Sequence, residues 1–511
     1  MSGSGTNRPD VIVVGAGSAG AVVTRRLLDA GLEVTVLEAG PADASEDIHD
    51  PLRAISLWGS EFDWGYRTVP QTAARGVELL QPRGRTLGGT SALNGMIYVR
   101  GVPSDYDGWA ARGAYGWMWQ DVEPYFRKLE NYEGGPDGGR GVGGPLNVQP
   151  LPDPQPVVKA FVEAAQQAGY PYNEDYNSDA GVSDGVAYFQ TTIRNGRRAS
   201  TWNEYVRPVE NSVGLSVLTG VTVSRVLVEG GRATGVEYLA DGTVHQVRAD
   251  RVILSAGVFG TPQILQLSGI GDADELKPLG IPVHADLPGV GRNLQDHVSA
   301  PVIYTTAEPI TPKVQGLEAT VFGRTRPGLV APNVQPMLLT YVYPFLDGAL
   351  PENGFSISGQ VLRPLSRGTV RLRSSDPAVA PLIDPRYFSE PDDFEVLVDN
   401  IVQIREIGEQ PALKALHLGE ARPGPAVRTH DDVREFVRAS TVSGHHQVGT
   451  AKMGVDSGSV VDPTLKVHGV TGLWVADASV MPTLTTGNTN APTIMIGERA
   501  ADFVLADTTA G

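Results

Sequence analysis

The sequence predicts an α/β fold in which a doubly wound nucleotide-binding domain is interleaved with a second, sheet-based domain. Three observations carry that expectation. A strand–turn–helix–strand unit occupies residues 10–38, β-rich segments fill the middle of the chain, and a strand and a helix return near its end. The 511 residues suffice for more than one domain, and 41% hydrophobic with 19% charged residues is the balance of a globular chain.

The first unit is the most informative. Residues 10–15 are a short apolar strand, followed by Gly15-Ala16-Gly17-Ser18-Ala19-Gly20 and an alanine- and leucine-rich helix to Ala30. Gly31 closes the helix, and residues 32–37 form a second strand ending at Glu38. In that order the glycines have separate tasks. Gly15 permits the tight turn, Gly17 lets a pyrophosphate approach the backbone, and Gly20 packs helix against strand. Glu38 suits ribose hydroxyls and repels a 2′-phosphate, which disfavours NADP. FAD and NAD share this fingerprint, and it does not choose between them.

Further along, residues 51–69 are irregular and hold Trp58 and Trp64, whereas 82–101 are rich in glycine yet apolar throughout and read as ordered. Residues 134–144 read as a surface loop. Strands are expected at Leu215–Thr219, 223–229, 233–238 and 252–255, with a helix at 262–268. Residues 356–362 and 368–372 look like neighbours in one antiparallel sheet. Helices follow near 392–409 and 431–439, and the chain ends on a strand, Leu473–Val475, a loop and a helix at 491–505.

Composition removes several function classes. A net charge of −17 and a pI of about 5.0 argue against a nucleic-acid or acidic-membrane partner. No apolar run approaches the roughly 20 residues of a membrane span. Met1 to Pro9 is small and polar, unlike a signal peptide, so a cytoplasmic location is expected. There are no cysteines, which excludes disulfides and thiolate chemistry. The nine histidines are scattered apart from His445–His446, so no metal is expected.

The segment Gly84-Arg85-Thr86-Leu87-Gly88-Gly89-Thr90-Ser91-Ala92-Leu93-Asn94, with Tyr98, Gly101 and Asp107, resembles the first signature of the glucose–methanol–choline (GMC) oxidoreductases. Residues 257–271 resemble the second, with Val258 where a small residue is usual, a change expected to adjust packing. The likeness continues through 363–372, 446–454 and 473–498. It implies a Rossmann-like FAD domain joined to a substrate domain built on a six-stranded antiparallel sheet. The FAD domain would comprise residues 9–45, 78–130, 210–295 and 455–511. The substrate domain would comprise 46–77, 131–209 and 296–454.

The resemblance also implies which residues meet FAD. Gly15, Gly17, Ser18 and Gly20 belong to the phosphate turn, Glu38 and Ala39 to the ribose, and Val223 to the adenine. Arg85, Gly88, Gly89, Asn94 and Met96 come from the first signature, with Asn94 near the isoalloxazine. Ala256, Asp477, Ala478 and Thr489 complete the set, Asp477 standing where the family's acid contacts the ribityl chain or phosphates. Some members attach FAD through a histidine just before the asparagine; Leu93 holds that position here, so FAD is expected to be non-covalent.

His446, in residues 444–454, aligns with the family's catalytic histidine. Oxidation of an alcohol removes a hydroxyl proton as hydride leaves carbon for flavin N5, and a histidine suits that proton. Asn488 stands where relatives carry histidine or asparagine; it is no base but can hydrogen-bond and orient the substrate oxygen. His445 is a pocket-lining or supporting residue, and His297 is expected to be structural. Tyr341, Tyr343 and Phe345 line the pocket or pack the core. The implied activity is FAD-dependent oxidation of a primary alcohol, aromatic or furanic, by an oxidase, with O2 or a quinone as acceptor. A lyase of the same family that cleaves cyanohydrins is the alternative, and a non-catalytic flavin-binding protein is disfavoured by the presence of both His446 and Asn488. Oligomeric state is left open.

Overall fold

The computed structural model describes residues 8–179 and 184–509. Met1 to Asn7, most of the stretch weighed as a signal peptide, lie outside the described residues. A five-stranded parallel sheet holds the dinucleotide motif. Its order is Leu215–Thr219, Val34–Glu38, Val11–Val14, Arg251–Leu254, Leu473–Val475. Val11–Val14 is wholly buried, as a run of branched apolar residues covered on both faces should be. Successive connections leave this strand on opposite sides. The C-terminal end of Val11–Val14 is therefore the switch point where α/β sheets bind ligands.

The helix Ser18–Asp29 buries Ala19, Val22, Val23 and Leu27 and packs along the final helix, Asn490–Thr509. An antiparallel meander of Thr222–Glu229, Arg232–Ala240 and Thr243–Arg248 flanks the parallel sheet. Its two turns, Gly230-Gly231 and Asp241-Gly242, have positive φ at all four residues, the geometry that two-residue hairpins require.

The second sheet is antiparallel. Six strands run in the order Gly419–Arg422, Val298–Thr305, Gly354–Gln360, Met337–Leu339, Leu317–Phe322, Gly185–Tyr188. A short seventh, Val442–Ser443, pairs with the start of Val298–Thr305. Strand alternation divides the faces. Ala300, Val302, Phe355, Ile357 and Leu338 pack against the helices Pro156–Gln167 and Pro391–Gly408, while Ser299, Ser358, Gln360, Met337 and Leu339 face a cavity.

Two expectations need correction. Residues 368–372 do not lie beside 356–362. Thr369–Arg371 pairs with Leu382–Asp384 instead, and Gly368 exchanges hydrogen bonds with Leu294. Pro364 and the following turn, whose Leu365 and Ser366 N–H groups donate to the Asp393 carboxylate at 2.8 Å each, steer the chain away. The glycine-rich stretch 134–144 is not wholly a surface loop either. It carries the side chain of Arg140 inward to Glu130, because a buried carboxylate needs a partner.

Candidate active site

One cavity extends from the end of the parallel sheet to the polar face of the antiparallel one. At the dinucleotide end, Gly15 (φ +97°) donates its N–H to the Leu37 carbonyl at 2.8 Å. A Cβ there would sit 2.5 Å from the Ser255 carbonyl oxygen. Gly17 and Gly89 meet backbone to backbone: a Cβ on Gly89 would lie 2.7 Å from the Gly17 Cα. The two glycine loops, far apart in sequence, thus form one wall. Gly15, Gly17, Ser18 and Gly89 line the cavity, whereas Gly20, Arg85 and Gly88 stand behind it. Arg85 places its guanidinium 5.2 Å from the ring centre of Trp64, which does line it.

No side chain caps the start of the helix Ser18–Asp29, so its N–H groups and dipole favour an anion in the cavity. Ser18 Oγ donates to Asn490 Oδ1 at 2.7 Å, tying this start to that of the final helix. Glu38 lies at the strand tip with Ala39 and Val223 beside it on the wall. Its carboxylate accepts from the Ala16 and Gly40 N–H groups, both at 2.9 Å. Burial pushes its carboxyl up, and these donors oppose the shift.

Along the middle, Asn94 Oδ1 accepts from the Met96 N–H and from Arg198 Nη1, each at 3.0 Å. Asn94, Met96 and the neighbouring Leu93 line the cavity, and so do Ala256, Asp477, Ala478 and Thr489. Both Asp477 oxygens already accept: Oδ2 from the Gly257 N–H (2.9 Å) and Thr261 Oγ1 (2.6 Å), Oδ1 from the Ser479 N–H (2.8 Å). It therefore caps the helix Gly257–Leu267. Val258 packs with Tyr66, Phe259, Leu294, Val370 and Ile383, so its bulk is taken up by a small apolar cluster.

At the other end, His446 and Asn488 come together. Asn488 Nδ2 lies 2.9 Å from His446 Nε2, and His446 Nδ1 lies 2.9 Å from His297 Nδ1. His297 Nε2 is 3.0 Å from the Leu362 carbonyl. That carbonyl only accepts, so a neutral His297 carries its proton on Nε2 and presents Nδ1 as an acceptor. His446 must then hold its proton on Nδ1, which leaves Nε2 as a lone pair on the cavity side, accepting from Asn488. Burial pushes His297 down to about 3. Burial, then the nearby His297, His445 and Arg83, pushes His446 well below the ordinary histidine value. Both rings are neutral at physiological pH.

Asp296 fixes the backbone of the same residue. Its Oδ1 accepts from the His446 N–H at 2.8 Å, while Oδ2 accepts from Ser443 Oγ (2.6 Å), Gln447 Nε2 (3.1 Å) and the Tyr387 hydroxyl. Burial pushes the Asp296 carboxyl up, against the pull of those donors and of Arg83. Arg83 in turn donates to the His445 carbonyl (2.6 Å) and to Gln447. His445 lines the cavity at φ +64° and meets Trp58 edge-on, with ring centres 4.6 Å apart. Tyr341 and Tyr343 line the same end, whereas Phe345 stands one layer out, stacked on Trp58.

His297 is buried as expected, yet it is the residue that holds His446, and Asp296 is a support the sequence reading left unassigned. The signal available was Gln295-Asp296-His297, three polar residues abutting the apolar strand Val298–Thr305 and all buried.

The cavity offers what a dinucleotide needs: an uncapped helix start, an acid at the tip of the second strand, and glycines that admit close approach. Comparison with known proteins agrees. The sequence pattern of GMC oxidoreductase matches residues 9–299 and again 364–497. Oxygen-dependent choline dehydrogenase of Sinorhizobium medicae (strain WSM419) is 39% identical over 533 residues, covering 97% of this chain and 95% of its own. Pyridoxine 4-oxidase from Mesorbium loti superposes with a TM-score of 0.93 at 32% identity, over 97% of this chain and 99% of that one. A fungal aryl-alcohol oxidase does so with a TM-score of 0.83 at 26% identity, over 98% and 100%. The chain belongs to the GMC oxidoreductases, FAD-binding enzymes that act on CH–OH groups.

Proposed function

We propose that this enzyme oxidises a primary alcohol of aromatic or furanic character to the aldehyde, with O2 as the electron acceptor. The observation that carries the reading is the meeting of His446 and Asn488 on the cavity wall, Nε2 lying 2.9 Å from the Asn488 amide nitrogen and Nδ1 backed by His297. A substrate hydroxyl that takes the place of this direct contact donates to Nε2 and accepts from Nδ2. His446 takes the proton, its Nδ1–H held by His297, and Asn488 keeps the oxygen in line as negative charge grows on it. When bound, FAD supplies the two-electron acceptor for the hydride that leaves the carbinol carbon.

Gly15, Gly17, Ser18 and the start of the helix Ser18–Asp29 would hold the pyrophosphate, and Glu38, Ala39 and Val223 the adenosine. Gly89, Asn94, Met96, Ala256, Asp477, Ala478 and Thr489 would flank the rest of the cofactor, and Gly20, Arg85 and Gly88 would support them from behind. Leu93 offers no side chain for a covalent link. The start of the final helix would meet the pyrimidine edge, where its dipole favours negative charge. Oxygen as acceptor is supported by the names of the relatives, an oxygen-dependent dehydrogenase and two oxidases.

The test is anaerobic mixing of flavin-loaded enzyme with a panel of alcohols. Bleaching by aromatic primary alcohols, followed by rapid recovery in air with release of peroxide, is expected. Bleaching that recovers only with a quinone would replace the acceptor. Turnover of a cyanohydrin with no bleaching by any alcohol would replace oxidation by lyase chemistry.

A further inference from the structure

The cavity face of the antiparallel sheet narrows the choice of alcohol. Ser299 and Ser358 are satisfied there: their hydroxyls lie 2.7 Å apart, and Ser299 Oγ donates to the Gly359 carbonyl at 2.7 Å. Gln360 is not. It is 3% exposed and lines the cavity, and its side-chain oxygen has no partner. Its amide nitrogen presses on Gly444, where a Cβ would come within 3.0 Å, two residues before His446. Its cross-strand neighbour Gln335, joined to it by backbone hydrogen bonds of 3.0 and 3.2 Å, is fully buried with both amide atoms unpartnered. Of the two amides, Gln360 is the one that lines the cavity, so it is the one a ligand can reach. A buried acceptor left alone destabilises the protein unless a ligand satisfies it.

The surroundings offer no carboxylate to a charged substrate. Trp58, Tyr341, Tyr343, Leu317, Met337 and Leu339 make this end apolar and aromatic. Among the described residues, the carboxylates that line the cavity are Glu38 and Asp477, at the cofactor side and already accepting two or more donors each. Near His446 the charged residue that lines the cavity is Arg83, a cation, while the Asp296 carboxylate lies behind the wall with both oxygens already accepting. A quaternary ammonium would find no carboxylate here, only the aromatic faces of Trp58, Tyr341 and Tyr343, so choline belongs in the test as the competing substrate.

We infer that Gln360 is a specificity-determining residue that reads a ring hydroxyl on an uncharged aromatic primary alcohol, whose CH2OH lies at His446 and Asn488. The inference rests on the alcohol-oxidising reading of this site and adds its substrate class. A hydroxyl both donates and accepts, so it satisfies the carboxamide in either orientation.

The experiment compares kcat/KM for anaerobic flavin reduction by benzyl alcohol, its ortho-, meta- and para-hydroxy derivatives, and choline. At least one hydroxylated isomer is expected to exceed benzyl alcohol by about 10-fold, the worth of one neutral hydrogen bond, with choline below both. In Gln360→Leu the ratio of hydroxylated to parent alcohol should fall to about one. Gln360→Asn, which withdraws the amide by one methylene, should lower it as well and serves if the leucine variant loses flavin. No preference in the wild type, a preference that survives Gln360→Leu, or choline as the favoured substrate would each overturn the inference. If no alcohol bleaches the flavin, the oxidising reading fails by itself. Gln360 is then read through the flavin spectrum during titration with benzaldehyde and para-hydroxybenzaldehyde, where equal binding would overturn it and tighter hydroxylated binding lost in Gln360→Leu would uphold it.

Discussion

Around Glu130 the interior is built on paired charges, while the groups that His446 presents to the cavity are uncharged and partly unpaired. Glu130 accepts from Arg100 Nη2 at 2.5 Å and Arg140 Nε at 2.9 Å, and Arg140 Nη1 reaches Asp175 at 3.0 Å and Gln190 at 2.9 Å. Burial pushes the Glu130 carboxyl up, and the two guanidiniums more than reverse it. Burial likewise pushes Arg140 down, and Glu130 and Asp175 carry it well above its ordinary value. In the His446 cluster burial acts on rings whose nitrogens meet no carboxylate, Asp296 being turned to the backbone N–H of His446, so the rings are pushed toward the neutral form. Asn488 Oδ1, Gln360 Oε1 and His445 Nδ1 are left without partners. The first cluster holds the fold, and the second keeps its lone pairs for a ligand.

The largest effect that would separate the two is catalytic. His446→Ala should slow anaerobic flavin reduction by about 10²–10⁴-fold, the span of a general base, with little change in thermal midpoint. Stopped-flow bleaching and a melting curve on the same preparation check both halves. A wild-type reduction rate would end the base assignment, and a collapsed melting point would make the His446 cluster a structural one like that of Glu130.

Glu130→Gln should do the reverse. It leaves Arg100 and Arg140 buried without their carboxylate, which costs about 3–5 kcal/mol of stability, while the flavin-loaded fraction keeps its turnover. Urea unfolding followed by tryptophan emission, with activity per bound flavin, measures the two terms. Equal losses in both would mean that the clusters are mechanically one.

The two clusters were not equally legible in the sequence. Gly15, Gly17 and Gly20 declared themselves because a backbone turn and a helix–strand contact can be met only by glycine, and the need is local. His446 and Asn488 were found within long signatures. His297 lies 149 residues from His446 and meets it only because the strand Val298–Thr305 pairs with Val442–Ser443. Arg140 sat in a glycine-rich stretch whose composition pointed to solvent, and a single buried acid reversed it. Gln360 gave no signal, since an unpartnered amide is a property of the packed sheet and not of spacing. What local backbone chemistry demands is readable; what depends on two distant segments meeting is not.

A smaller effect sharpens the role of His297. Removing it in His297→Ala frees the His446 Nδ1–H and unfixes the tautomer, so kcat should fall about 10–100-fold, as when other positioning partners of histidine are lost. Because His297 helps hold His446 below its ordinary value, the acid limb of the kcat/KM profile should also move to higher pH. His297→Asn keeps an acceptor close to the lost Nδ1 and should recover most of the rate. An unshifted limb, or no rescue by asparagine, would make His297 a packing residue.

The last effect is on stability against pH, and its sign follows from burial. His297 has a folded value of about 3 against 6.5 when exposed, so the unfolded chain binds its proton first as pH falls. Its contribution is complete above 6.5 and is lost progressively as pH drops from there through about 3, at about 1.4 kcal/mol per pH unit. The ion pairs of Glu130 act in the same direction at lower pH: a carboxylate held below its ordinary value keeps its stabilisation until the pH falls into the usual carboxylate range, and loses it from there through its folded value. Unfolding free energy measured from pH 7 downward should therefore slope below about 6.5 in the wild type and flatten by one proton in His297→Asn, whereas Glu130→Gln should lower the whole curve and alter its slope only at the acid end. A wild-type slope that survives in His297→Asn would assign the titration to other groups and dissolve the contrast between a neutral cluster and a charged one.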